Sequence, residues 1–160
     1  SSRAGTGSAA TDREIPREAA LVSAGNKEKR AMSLLAQLKI LVVDDTTTSR
    51  LLVRDALETL GFRNIQVAAD GEQAMKMMMT TPSHLIISDM NMPKMNGLQF
   101  LHAIRTYKPT ARTPFMILTG SPDRAVLEEG RKLGLNNYLT KPFNSDQLRR
   151  ALEAIVGKLH

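Results

Sequence analysis

Five residues pair reactive chemistry with a shared placement. They are the adjacent carboxylates Asp44 and Asp45, the carboxylate Asp89, the hydroxyl of Thr119 and the ammonium of Lys141. Each stands at the end of a short run that is mostly apolar: Lys39 to Val43, Leu85 to Ser88, Pro114 to Leu118 and Asn137 to Thr140. Three carboxylates gathered at one place repel one another and cannot all ionise cheaply. A bound divalent cation resolves the conflict, and ligands that are all oxygen suit Mg²⁺ or Mn²⁺. Lys141 adds a mobile cation that can meet an anion, and Thr119 adds a hydroxyl that can donate to an oxygen. Metal, cation, hydroxyl and carboxylate together describe a site for phosphoryl transfer. Asp89 is the best candidate acceptor, since a carboxylate can form a covalent phosphoryl intermediate. It follows a buried strand and precedes a loop stiffened by Pro93, which should leave its side chain exposed at the rim.

These residues converge only if the intervening chain brings them together. The runs named above, with Asn64 to Ala68, read as five short buried strands. Helical patterns separate them. Thr46 to Leu60 places Leu52, Val53, Ala56, Leu57 and Leu60 on one face, and Gly61 is a natural stop. A second helix begins at Asp70-Gly71 and carries Ala74, Met75, Met78 and Met79 inward, the Met-rich stretch reading as core filler. Pro93 to Gly97 is a loop before a helix marked by Leu98, Leu101 and Ile104. Pro122 is expected at the first position of the fourth helix, which Gly134 closes. Asn144 and Gln147 have capping-box spacing at the start of a fifth, carrying Leu148, Leu152 and Ile155. Strands alternating with helices predict an α/β fold, a parallel five-stranded sheet covered on both faces. In such a sheet ligands bind beyond the carboxyl ends of the strands, where the reactive residues would gather.

Composition narrows the alternatives. The chain has 160 residues, 42% hydrophobic and 24% charged, as an ordinary globular domain does. No apolar run approaches the ~18 residues of a membrane span, and no secretory leader is visible, so a cytoplasmic protein without membrane insertion is expected. Without Cys there is no disulfide, thiolate nucleophile or Cys-bound metal, and the three His residues (His84, His102, His160) are scattered. The net charge of +6 is spread thinly, and aromatics are only 4%, too few for a base-stacking platform. Nucleic acid is therefore not an expected partner. Residues 1–31, rich in Ser, Ala, Gly, Arg and Glu, hold few large apolar side chains. They are expected to form a flexible N-terminal tail or an expression remnant, with at best a marginal helix over Ile15 to Val22. The folded domain is expected over 32–160.

The strand-end motifs resemble those of response-regulator receiver domains, and within them the single-domain chemotaxis regulators. They are Ile40-Leu41-Val42-Val43-Asp44-Asp45, Ser88-Asp89-Met90-Asn91-Met92-Pro93, Leu118-Thr119-Gly120 and Tyr138-Leu139-Thr140-Lys141-Pro142-Phe143. The likeness spans about residues 38–159. It implies a flavodoxin-like (βα)5 doubly wound sheet of strand order 2-1-3-4-5; that order comes from the resemblance, not from spacing. It implies that Asp89 is the phosphoacceptor, served by a chemotaxis histidine kinase. Asp45, Asp89 and the backbone carbonyl of Asn91 would ligate Mg²⁺, with Asp44 acting mainly through water. Lys141 would pair with the phosphoryl oxygens, Thr119 would swing in to hydrogen-bond them, and Tyr138 would follow inward as a switch. A cis peptide at Lys141-Pro142 is implied too, a form that proline makes accessible. The implied protein is a monomeric switch, not an enzyme beyond its own phosphorylation and slow dephosphorylation. Its output would be contact with the flagellar motor switch protein, and a phosphatase is a further implied partner. No DNA-binding or enzymatic output domain is expected after the fifth helix. Met90 stands where many chemotaxis regulators carry Trp, and Asn91 and Ser121 occupy positions that tune dephosphorylation in the family.

Other readings remain beside this one. Singly, Asp44 and Asp45 could cap a helix, Asp89 could shape a turn, Thr119 could end a strand and Lys141 could be a surface lysine. Within the family, a phosphate sink would drain phosphoryl groups without touching the motor. A Mg²⁺-dependent phosphohydrolase with an aspartyl nucleophile would show Asp-x-Asp after the first strand, whereas here the acids are adjacent. A flavodoxin-like cofactor binder would need a phosphate cradle there, but Asp44-Asp45 would repel a phosphate.

Overall fold

The computed structural model describes residues 25–30 and 34–157. The chain divides into two units, Ser1–Ser33 with His160, and Leu34–Leu159. In the first, residues 25–30 are helical; the rest of the expected tail, including Ile15 to Val22, lies outside the described residues. The second contains a five-stranded sheet: β1 (Lys39–Val43), β2 (Asn64–Ala68), β3 (Leu85–Asp89), β4 (Phe115–Thr119) and β5 (Asn137–Thr140). Between and after the strands run α1 (Thr47–Leu60), α2 (Gly71–Thr80), α3 (Gly97–Thr106), α4 (Arg124–Lys132) and α5 (Ser145–Val156). All pairings are parallel and the order is β2-β1-β3-β4-β5, as the resemblance implied.

The central strands are buried on both faces, so they read as continuous apolar runs whose residues divide by parity. Ile40, Val42, Ile87, Met116 and Leu118 pack with Val53 and Leu57 of α1 and Leu148 and Leu152 of α5. Leu41, Val43, Ile86, Phe115 and Ile117 pack on the other face with Ala74 and Met78 of α2 and Phe100, Leu101 and Ile104 of α3. Phe100 and Phe115 meet edge to face, with ring centroids 5.4 Å apart.

The helix ends follow local chemistry. Gly61 closes α1 in the left-handed conformation (φ 109°), which favours glycine. The Asn144–Gln147 capping box is formed, and a second one, Asn96–Gln99, starts α3. The expectation for Pro122 is corrected. Asp123 is the N-cap of α4, its carboxylate accepting the amides of Ala125 and Val126, so the helix begins at Arg124 and Pro122 lies before the cap. Leu52 and Met79, expected on buried faces, are 63% and 55% exposed. Each helix offers more apolar positions than one face can bury, and Val53, Leu57 and Met78 take the inner places. A short 3₁₀ turn, Lys108–Thr110, had no distinct sequence signal.

At the amino-terminal edge of β4 and β5, Arg105 of α3 joins three segments. Its guanidinium donates to the carbonyls of Ala111 (3.2 Å), Thr113 (2.7 Å) and Gly134 (2.9 Å) and to Asn136 Oδ1 (3.0 Å). Asn136 Oδ1 also accepts the Phe115 amide at 2.8 Å.

Candidate functional site

The carboxyl ends of β1, β3, β4 and β5 form one edge of the sheet. The parallel register aligns them: Val43 lies beside Ser88, Asp89 beside Leu118, and Thr119 beside Thr140. Asp44 and Asp45 therefore leave β1 next to Asp89 at the end of β3. One carboxylate oxygen from each of the three lies within 4.8 Å of the others. Asp44 is 1% exposed and Asp89 8%, whereas Asp45 faces solvent. Asp89 is thus more enclosed than its expected position at the rim, because the chain turns back over it. The Gly97 amide donates to the Met90 carbonyl at 2.8 Å. A Cβ on Gly97 would stand 2.8 Å from the Asp89 carbonyl oxygen and 3.0 Å from Met90 Cα, so only glycine lets α3 start this close.

Lys141 enters from the end of β5, just before a cis Lys141–Pro142 peptide. Its amide donates to the Thr119 carbonyl at 2.8 Å. Its ammonium donates to Asp89 Oδ1 at 3.1 Å and lies 3.5 Å from Asp44 Oδ2. Asp44 Oδ1 accepts the Thr46 amide at 2.9 Å, and the Asp44 carbonyl accepts Arg50 Nη1 at 2.7 Å. Burial pushes the Asp89 carboxyl above the ordinary aspartate value, and Asp44 pushes the same way. The hydrogen bond and charge of Lys141 pull against this, as does the Met90 amide.

The donor set fits a hard divalent cation. Three carboxylates converge, and Asp44 Oδ2 is buried without a hydrogen-bond partner among the described residues. A buried acceptor left in that state is costly unless a cation or water meets it.

The structure thus gathers Asp44, Asp45, Asp89 and Lys141 into one cluster. Thr119 ends β4 at the same edge, 5% exposed, its hydroxyl accepting the Ser121 amide at 3.2 Å. Asn91 lies exposed in the loop two residues beyond Asp89. Tyr138 is outside the cluster. It is 42% exposed and borders a groove of about 370 Å³ with Arg124, Leu127 and Arg131 of α4. Sequence reasoning missed the supporting roles of Ser49, Arg50 and Gly97. Ser49 Oγ accepts from Lys141 Nζ at 3.3 Å. The available signal was position, since both Ser49 and Arg50 fall in the first turn of the helix that follows the acidic pair.

Residues 40–153 match the response regulator receiver domain. A probable chemotaxis protein CheY of Rhizobium etli is 51% identical over 128 residues, covering 80% of this chain and 99% of that protein. Chemotaxis protein CheY-3 of Vibrio cholerae is 35% identical, over 76% of this chain and 94% of its own. Among solved structures, chemotaxis protein CheY4 of Vibrio cholerae superposes with a TM-score of 0.71 at 34% identity, covering 75% of this chain and 99% of that one. The receiver domain of the Pseudomonas aeruginosa sensor histidine kinase PA1611 has magnesium in its active-site cleft. It superposes with a TM-score of 0.68 at 29% identity, over 76% of this chain and 98% of its own.

Proposed function

From the premise that the chain belongs to the response regulator receiver domain family, we propose that it is the phospho-accepting switch of a chemotaxis two-component system, with Asp89 as acceptor. The observation that carries this reading is the Asp89–Lys141 contact, 3.1 Å, inside a pocket where two further carboxylates converge. An Asp89 carboxylate oxygen attacks the phosphorus of a phosphohistidine on the kinase. The new O–P bond forms as the N–P bond breaks, and the electron pair stays on the imidazole nitrogen. Asp45, Asp89 and the Asn91 carbonyl would hold Mg²⁺, or Mn²⁺ with the same ligands, and Asp44 would contribute mainly through water. When bound, the cation supplies electrostatic stabilisation to the phosphoryl oxygens. Lys141 is already within hydrogen-bond reach of the acceptor and turns to the new oxygens. Thr119 gives up its amide contact and donates to the phosphoryl group.

Phosphorylation adds about −1.5 to −2 charges and three acceptor oxygens. Moving a two-state surface from 1:99 to 99:1 takes about 5.5 kcal/mol of differential stabilisation, which Thr119, Lys141 and a bound partner share. Tyr138, half-exposed beside α4, is the side chain that carries the change outward, to a surface that binds the flagellar motor switch protein. Intact mass in Mg²⁺ and acetyl phosphate tests the acceptor. The parent should gain one phosphoryl group and Asp89→Asn none; a folded parent that gains nothing overturns the reading. Capture of the phosphorylated protein by the motor switch protein separates a motor regulator from a phosphate sink, which would not bind.

A further inference from the structure

Lys141 has three oxygen neighbours, and only two are carboxylates. Its ammonium lies 3.1 Å from Asp89 Oδ1, 3.5 Å from Asp44 Oδ2 and 3.3 Å from Ser49 Oγ. An ammonium has three N–H donors and no acceptor; two of them are hydrogen-bonded, to Asp89 Oδ1 and Ser49 Oγ, while Asp44 Oδ2 is an ion-pair neighbour without a hydrogen bond. The carboxylates come from the ends of β1 and β3, while Ser49 comes from the first turn of α1. Ser49 and Lys141 also border a groove of about 350 Å³ whose other lining residues, Leu52, Val53, Ala56, Pro142 and Phe143, are all apolar. On that side the Ser49 hydroxyl is the only side-chain acceptor among the lining residues.

We propose that Ser49 is a positioning residue for Lys141. The four-carbon stem of lysine is flexible, and its head is a point charge without a preferred direction. Two carboxylates alone leave the head free to pivot about them, held by a single hydrogen bond, to Asp89. The third contact, from a different element, fixes the ammonium over the acceptor before the phosphoryl group arrives. Transfer is sensitive to such placement, since a displacement of about 1 Å can cost as much as a hundredfold in rate. This role rests on the reading of Asp89 as acceptor, but the Ser49–Lys141 contact can be tested without it.

The experiment compares the parent with S49A, S49T and S49V. Acetyl phosphate in Mg²⁺ is the donor, because a small molecule needs no protein docking surface, and the rate is followed by intact mass. Threonine and valine are close in shape, so their contrast isolates the hydroxyl. S49A and S49V should react about three- to tenfold more slowly, the scale of one lost positioning contact, and S49T within about twofold of the parent. Parent-like rates in S49A and S49V overturn the proposal, as does S49T as slow as S49V. A second readout is independent of phosphorylation. In ¹⁵N-lysine-labelled protein, the Lys141 ammonium should be protected from exchange in the parent and S49T, and unprotected in S49A and S49V. Equal exchange in all four overturns the proposal. Retained protection in a parent that takes no phosphoryl group would refute the acceptor reading and leave the Ser49 contact standing.

Discussion

Asp89 sits almost closed off from water, with Asp44 beside it, and burial holds its carboxyl above the ordinary aspartate value of 3.8 despite Lys141. The folded protein therefore keeps this proton to a higher pH than the unfolded chain does. Stability from the site is fully present below the unfolded value and falls as pH rises from there through the raised folded value. Asp89→Asn removes that loss. In divalent-free buffer its thermal midpoint should exceed the parent's at neutral pH, and the gap should close as the pH falls to the unfolded aspartate range. Melting curves across pH check this, and a gap that widens on acidification contradicts it. Mg²⁺ should act in the same direction by a different route. A ligand that binds only the folded state stabilises by about 2.7 kcal/mol at one hundred times its Kd. Melting with and without chelator should show a midpoint that rises with Mg²⁺ in the parent and scarcely moves in Asp45→Asn.

Between α3 and the loop that follows Asp89, the decisive contact involves backbone on both sides. Alanine at Gly97 would set its Cβ 2.8 Å from the Asp89 carbonyl oxygen, which cannot rotate away. At Gly71, at the start of α2, an added Cβ would stand 2.7 Å from the Met95 thioether, a flexible side chain that can shift. Gly97→Ala should therefore cost about 1–3 kcal/mol, within the range for overpacking, and slow phosphorylation by acetyl phosphate, while Gly71→Ala should do less on both counts. Urea titration and intact-mass kinetics measure the two effects. The elements themselves were largely legible. Strong local signals such as Gly61 and the Asn144–Gln147 pair act within a few residues, so they survive in the sequence. Pro122 misled because two local rules compete within two residues, and the capping strength of Asp123 prevails over proline's fit to the first helical turn. The reach of Gly97 to Asp89 was not legible, since it depends on how two elements meet.

The Leu34–Leu159 unit is a sheet with an apolar layer on each face, and the parity of the central strands already separates Ile86 from Ile87 and Leu41 from Val42. That alternation, with a polar residue at the end of four of the five strands, made the gathering of Asp44, Asp45, Asp89 and Lys141 foreseeable from the sequence. What it did not carry was depth. The near-complete enclosure of Asp89 and the third contact of Lys141 come from loops and a helix turn folding over the strand ends.

Arg105 marks the opposite edge of the sheet. Its guanidinium is held wholly by neutral oxygens, three backbone carbonyls and one amide side chain, in the contacts described above. Burial lowers its pKa, yet a guanidinium keeps its proton across the range in which proteins fold. Nothing in this clamp titrates, binds a metal or takes up a phosphoryl group. At the opposite edge, by contrast, Lys141 meets the carboxylates of Asp44 and Asp89, groups that can take up a proton or a cation. The sheet thus carries a carboxylate cluster at one edge and a guanidinium clamp of neutral oxygens at the other. On the function proposed above, a phosphoryl group at the first edge would rearrange α4 and β5 near Thr119 and Lys141, while the Arg105 contacts hold Gly134 and Asn136 at their far ends.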